Sequence, residues 1–571
     1  MCGISGIISA GPTTDLSVEP MNSAMHHRGP DHTGQYVDSH VQLGHNRLAI
    51  IDLAEHANQP FSDPSGRYML VFNGEIYNYL EIRERLADRY EFRTDSDTEV
   101  LLAAYLIWGS DCLEQFNGMF AFAIWDRESR KLFAARDRFG VKPFVYAMHE
   151  HSFLFASEIK ALWAAGVPKM PDEPVWANYF AFGSYGMPHE TFWDGIRQLP
   201  AGHFLTYAPG DTAPHINRWY HFADRIRDRY SELSEEILTQ RYSDLLYDSI
   251  ALRFRADVPV GFNVSGGLDS SALLAMVNRT REGANIRAFS FYTGDDRYDE
   301  LPWVRQLLEK TGNPLTPVLV RPEEVPELIR HINRHQDEPY GGLPTLAYAQ
   351  IFRAARQAGI IVLLDGQGMD EQWAGYDYYQ KKTKFVVQGT KRSPLRPEVL
   401  SDDLRELARR PAYDRPFDND LQNTQYRDLF YTKIPRALRF NDRISMAYST
   451  ELREPFLDYR LVELAFAQRA DLKIRDGQSK YLLRRITAAD LGDDLAFAPK
   501  RPLQTPQREW LGNELRPVVQ ESIDTLLHGD YRDWFDPAAV RREWQAYLDG
   551  DTDSSFHLWQ WMSGADLLPS D

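Results

Sequence analysis

An apolar run at residues 258–264 ends in Ser265-Gly266-Gly267-Leu268-Asp269-Ser270-Ser271 and passes directly into a helical pattern. A Gly-rich turn that joins a strand to a helix commits the strand to a sheet and the helix to packing on it. Downstream, strand patterns at 286–292, 315–320 and 360–364 alternate with helical ones at 302–310, 326–335 and 347–357. Such alternation predicts a mostly parallel sheet with helices on both faces. A helix is expected at 234–254, and from about residue 427 the pattern reads as almost entirely helical.

The earlier part of the chain has another rhythm. Short apolar runs at 119–125, 131–135, 143–147 and 153–156 are separated by polar turns, which predicts an antiparallel meander or sandwich. Helices are expected at 78–90 and 98–108. The turn-rich Ala208-Pro209-Gly210-Asp211-Thr212-Ala213-Pro214 reads as a boundary, so the expected domains are 2–210 and 230–571. A chain of 571 residues has room for two or more domains.

With 64 Lys and Arg against 82 Asp and Glu, the net charge is −18, which argues against nucleic acid or an anionic membrane as a partner. No apolar run approaches the roughly 18 residues of a membrane helix. The start, Met1-Cys2-Gly3-Ile4-Ser5-Gly6, lacks the positive charge of a secretion signal. Two cysteines, Cys2 and Cys112, are too few for a disulfide scaffold. A soluble cytoplasmic protein is expected. The basic stretch 381–396 reads as a solvated loop, with a lid over anionic ligands as the alternative.

Cys2 is chemically pointed. Loss of Met1 leaves a thiol beside a free α-amine, and an α-amine of pKa about 7.7–8.0 can activate an adjacent nucleophile. Asn73-Gly74 offers a side-chain amide and a backbone N–H for an oxyanion. Arg47 and Asp97 suit the carboxylate and ammonium of an amino-acid substrate. Cys112 has no such company.

The loop at 265–271 suits a pyrophosphate, with small residues, hydroxyls and a helix N-terminus behind them. It is not a Walker A loop, because the Gly-Lys dipeptide occurs nowhere in the chain. Gly366-Gln367-Gly368 misses the dinucleotide fingerprint, since Glu371 stands where the third glycine belongs. Asp269 and Asp370 are candidate Mg2+ ligands, a hard cation bound by one or two carboxylates plus phosphate oxygens.

Met1-Cys2-Gly3-Ile4, Arg28-Gly29-Pro30-Asp31, Arg47-Leu48, Asn73-Gly74-Glu75-Ile76-Tyr77-Asn78, Ser96-Asp97 and the run from Ala135 to Pro143 together resemble class II glutamine amidotransferases. The loop at 265–271 resembles the PP-loop of ATP pyrophosphatases. Tyr298-Asp299-Glu300, Asp337-Glu338-Pro339, Asp442-Arg443-Ile444-Ser445-Met446-Ala447, Glu454-Pro455-Phe456-Leu457-Asp458 and Lys480-Tyr481-Leu482-Leu483-Arg484 resemble the synthetase domain of the asparagine synthetase family. The resemblance implies an α+β N-terminal-nucleophile sandwich followed by an α/β PP-loop (ATP pyrophosphatase) domain with a largely helical C-terminal part. It implies that Cys2 hydrolyses glutamine, with Asn73 and Gly74 assisting and Arg47, Leu48, Ile50, Asn73, Gly74, Glu75 and Asp97 binding it. ATP falls to Val264, Ser265, Gly266, Gly267, Leu268, Asp269, Ser270, Phe291, Asp365 and Gly366. Gln367, Asp370 and Glu371 form the acceptor pocket, Asp269 and Asp370 hold Mg2+, and Lys500 contacts phosphates. The implied reaction joins ammonia to an acyl adenylate of aspartate, and a homodimer is the candidate assembly.

One stretch departs from the pattern. The family usually reads Ser-Gly-Glu-Gly or Ser-Gly-Asp-Gly where this chain has Asp365-Gly366-Gln367-Gly368, and Gly-Phe after the lysine is replaced by Pro502-Leu503. An amide at 367 removes a charge for the α-amine of aspartate and a proton acceptor. Amidation of another carboxylate is therefore the alternative, and a catalytically silent protein on the same fold is the alternative of another class.

Overall fold

The computed structural model describes residues 1–11, 16–227, 233–279, 285–380, 393–499 and 505–568. The basic stretch from 381 to 392, Lys500 and Pro502-Leu503 lie outside them.

Strands β1 (Gly3–Ser9), β2 (His32–Val37), β3 (Val41–Arg47), β4 (Phe61–Ser62), β5 (Tyr68–Ile76), β6 (Gly118–Asp126), β7 (Lys131–Arg136), β8 (Val145–His149), β9 (Ser152–Ala156), β10 (Ile196–Gln198), β11 (His203–Tyr207) and β12 (His215–Arg218) form two antiparallel sheets. Their orders are β10-β8-β9-β1-β3-β2 and β12-β11-β7-β6-β5-β4. Alternate residues of β5 and β6 enter different cores. Met69, Val71, Ala121 and Ala123 pack between the sheets. Leu70, Phe72, Phe120 and Phe122 face an outer layer that includes the helix Asp97–Trp108. Both faces are covered, so the strands read as continuous apolar runs rather than as alternation. Cys112 is fully buried in that outer layer.

The expected boundary at 208–214 is instead the hairpin loop between β11 and β12. Asp211 closes it by accepting the Ala208 N–H at 2.8 Å, and the sheet that contains β11 runs on to Arg218 in β12. Gly and Pro mark a tight turn equally well inside a domain or between two. The helix expected at 78–90 is shorter, Tyr79–Leu86.

The second unit holds a parallel sheet of β13 (Val260–Asn263), β14 (Ala288–Tyr292), β15 (Leu315–Leu319), β16 (Val362–Leu364) and β17 (Glu451–Arg453), in the order β15-β14-β13-β16-β17. Strand β17 is a short exception to the almost entirely helical pattern expected beyond residue 427. It has three residues, two of them charged and all buried, so no apolar run announced it. The chain leaves β13 toward β14 on one side and returns to β16 on the other. Crevices for ligands form at the carboxyl ends of strands at such a switch point.

One apolar cluster joins the two units, from Ile7, Leu154 and Trp176 to Ile332, Phe352 and Trp559. Among the described residues no helix is long and apolar enough to cross a membrane.

Candidate active sites

The first site lies where the two sheets of the sandwich meet. Cys2 precedes β1 and Asn73 sits on β5 of the opposite sheet, and the Cys2 N–H donates to Asn73 Oδ1 at 3.0 Å. That nitrogen is the one that loss of Met1 would leave as the α-amine. Asn73 Nδ2 is buried and donates to nothing, which leaves an amide N–H beside the thiol for a developing oxyanion. A Cβ at Gly74 would stand 2.1 Å from the Met119 carbonyl oxygen, so only glycine fits there. The Cys2 thiol points to the Leu48 carbonyl at 3.9 Å; burial pushes it up, against the nearby terminal amine and Arg47.

Arg47 ends β3 and is 6% exposed. Its donors meet the carbonyls of Ala54, Ile51 and Asp52 and the side-chain oxygen of Asn58, all uncharged. A buried guanidinium held by neutral acceptors is prepared for an incoming carboxylate. Asp97 opens its helix and accepts the Ile76 N–H at 2.9 Å. Burial lifts its carboxyl to about 6, against the Ile76 amide. Glu75, also buried, is pushed well above the carboxylate range, first by burial and then by Glu451. Of the two carboxyls, Asp97 stays nearer the ordinary carboxylate range. Leu48 and Ile50 are buried at 2% and 3% exposure.

These states set a pH dependence. Below pH 6 Asp97 is protonated and loses its attraction for a cation, so kcat/KM for glutamine should fall by up to about tenfold per pH unit there. Asp97→Asn should be weak throughout and lack this limb, which a pH series of glutamate release would measure.

The second site is a cavity of about 420 Å³ at the switch point between β13 and β16. Val264, Ser265, Gly266, Gly267, Leu268, Asp269, Ser270, Phe291, Asp365, Gly366, Gln367, Asp370 and Glu371 all line it, so every residue expected at the ATP and acceptor subsites shares one chamber except Lys500, which lies outside the described residues. The Ser270 hydroxyl donates to the Ser265 carbonyl at 2.6 Å and so curls the loop ahead of the helix Leu268–Val277. Glu300 accepts the Gly266 N–H at 3.2 Å.

Lys480 lies in the stretch Lys480-Tyr481-Leu482-Leu483-Arg484 and lines the same cavity. Its ammonium bridges Asp269 (2.6 and 2.7 Å) and Asp370 (2.8 Å). Burial opposes the charge, but the two carboxylates outweigh it and hold the group above its ordinary value. A Cβ at Gly375 would fall 2.1 Å from Lys480 Cε, so glycine makes room for the bridge. Two hard carboxylates gathered on one cation in this cavity fit the donor set of Mg2+, which takes its remaining ligands from phosphates and water. Glu371 accepts the Tyr376 hydroxyl at 2.8 Å and is lifted to about 8 by burial and Asp370.

The two sites are tied together by buried charge. Arg28 Nε donates to the Cys2 carbonyl at 3.0 Å, and its Nη1 reaches Glu158 at 2.7 Å and Asp442 at 2.8 Å. Asn441, beside Asp442, lines the second cavity. On β17, Arg453 lies 3.5 Å from Glu75 and its carbonyl accepts the Asp365 N–H at 2.9 Å. Glu451 pairs with the Met1 ammonium at 3.1 Å.

The family described as a glutamine amidotransferase domain matches residues 1–220, and that described as asparagine synthase matches 241–568. The chain is 30% identical to asparagine synthetase 1 (glutamine-hydrolyzing) of Bacillus subtilis strain 168, over 93% of this chain and 92% of that one. It is 31% identical to a putative glutamine-hydrolyzing asparagine synthetase of Mycobacterium bovis, over 98% and 95%. It is 26% identical to the amidase chry2 of Gibberella zeae, over 92% of each.

Proposed function

The chain belongs to the asparagine synthase family, and on that premise we propose that it is a glutamine-dependent asparagine synthetase whose two reactions run at the two sites described. It is an ATP-dependent amide ligase that takes its nitrogen from glutamine. One observation carries the reading: the cavity at the switch point gathers the phosphate loop and the acceptor loop, and Arg28 joins the Cys2 carbonyl to Asp442, the chain neighbour of Asn441 in the cavity lining.

At the first site Arg47 holds the glutamine carboxylate and Asp97 its ammonium, while Leu48, Ile50 and Glu75 enclose the chain. The Cys2 α-amine takes the thiol proton and the thiolate attacks the side-chain amide. Asn73 Nδ2 and the Gly74 N–H stabilise the oxyanion. Ammonia leaves, and water cleaves the thioester to glutamate.

At the second site the loop from Val264 to Ser270, with Phe291 and Gly366, holds ATP. Asp269 and Asp370 would hold Mg2+, which when bound neutralises charge on the leaving pyrophosphate. The acceptor carboxylate attacks the α-phosphate, pyrophosphate leaves, and ammonia displaces AMP from the acyl adenylate. The buried contact between the two units keeps both ammonia and the adenylate from water.

Exchange of labelled pyrophosphate into ATP tests the reading. Aspartate should support exchange, and added ammonia should then yield asparagine and AMP. The amide at Gln367, in the acceptor wall, favours a second reading in which another carboxylate is amidated. Exchange that ignores aspartate and responds to a carboxylate without an α-amine would select it.

A further inference from the structure

Amide formation from an acyl adenylate releases a proton from nitrogen, and Gln367 has no basic oxygen to receive it. Six carboxylates line the cavity: Asp269, Asp299, Glu300, Asp365, Asp370 and Glu371. Five are engaged. Asp269 and Asp370 hold Lys480, and Asp299 accepts the backbone N–H groups of Thr293 and Gly294. Glu300 accepts the Gly266 N–H, and Glu371 the Tyr376 hydroxyl. Asp365 alone among them has an oxygen, Oδ2, that is buried and accepts no hydrogen bond.

The setting of Asp365 is rigid and dry. It is 9% exposed, and its N–H is fixed at 2.9 Å on the Arg453 carbonyl at the end of β16. Tyr348, on the helix Leu343–Gln357, stands beside the carboxylate, oriented by Asn263 Nδ2, which donates to its hydroxyl at 2.5 Å. Glu454, which follows β17, lies close enough to Asp365 for their charges to interact and has its own buried oxygen without a partner. Around Glu454 stand Lys142, Asp442 and Arg253. Burial raises the proton affinity of Asp365 above that of an ordinary aspartate, against Tyr348, the Gly366 N–H and Gln367. A general base gains from such a shift toward the working pH.

We propose that Asp365 is the catalytic proton acceptor of the amide-forming step. The ammonia nitrogen bonds to the acyl carbon, the bond from that carbon to the phosphate-bearing oxygen breaks, and its electron pair leaves with AMP. One N–H proton passes to Asp365 Oδ2. The inference rests on the ligase reading, and it moves the basic carboxylate two residues from the position of Gln367.

The test compares the unaltered enzyme with Asp365→Asn, Asp365→Ser and the double variant Asp365→Asn, Gln367→Glu. Pyrophosphate exchange reports adenylation, and amide formation from ammonium chloride across a pH series reports the second step. Amide formation in the single variants should fall about 10²-fold further than exchange does, and its rate per unprotonated ammonia should lose its acidic limb. The double variant should recover part of the rate. Equal amide formation in Asp365→Asn overturns the proposal. So does a loss of exchange matching the loss of amide, or a raised acceptor KM with kcat unchanged, because either marks an anchor or a structural role. Asp365→Ser removes the unpaired oxygen, so it supplies the same comparison if the asparagine variant unfolds. The acceptor used is whichever carboxylate supports exchange in the unaltered enzyme, so failure of aspartate as substrate reads out separately from failure of Asp365 as base.

Discussion

Cys2→Ala should abolish glutamine-driven amide synthesis and leave synthesis from added ammonia near its original rate. Removing a nucleophile outright costs on the order of 10⁶-fold in rate, far more than any binding contact around it. The substitution is small for the fold, because Cys2 meets the Leu48 carbonyl only at 3.9 Å and its N–H to Asn73 is a backbone bond that alanine keeps. The Arg28 contact is likewise to the Cys2 carbonyl rather than to its side chain. The cavity that holds Asp269 and Asp370 is therefore untouched, and pyrophosphate exchange should not change. Measuring glutamate, pyrophosphate exchange and amide in parallel decides the matter. Loss of ammonia-driven synthesis in a folded Cys2→Ala protein would refute two separable sites.

The parts of this molecule that were legible in its sequence are those whose chemistry is contiguous. Asn73 and Gly74 are neighbours on one strand, and the loop from Ser265 to Ser271 carries its hydroxyls and its helix start together. The β13 to β16 alternation was readable because each parallel strand is followed by a helix that covers it. What stayed hidden depends on partners far apart in the chain. Arg28 reads in the sequence only as part of a matching stretch, since Asp442, its ion-pair partner, is 414 residues away. Lys480 and Asp269 are separated by 211 residues. Strand β17 was missed because Glu451 and Arg453 are buried charges, which a reading of apolar periodicity assigns to a surface. Burial of such groups is tolerable only when they pair, and beyond their mutual contact their partners, Glu75 and the Met1 ammonium, lie far away in the chain. The hairpin at 208–214 shows the converse: a strong local signal whose tertiary context gave it another meaning.

Asp269→Asn and Asp370→Asn should each lower pyrophosphate exchange by about 10³-fold, the scale of several kcal/mol of charge stabilisation removed from a phosphoryl transition state. Glutamine hydrolysis should be nearly unaffected, because neither residue touches the sandwich. The two carboxylates share one cation, so their losses should not add. Lys480 bonds Asp269 through both oxygens and Asp370 through one, and removing either partner leaves a buried ammonium with half its counter-charge. A bare metal-ligand account predicts that raising Mg2+ restores exchange in each single variant. A purely structural bridge predicts no recovery and a lowered unfolding temperature. If both roles operate, raised Mg2+ should recover exchange in part, and Lys480→Met should impair exchange at every Mg2+ concentration. Exchange that survives Asp269→Asn at limiting Mg2+ would remove that residue from the phosphate site.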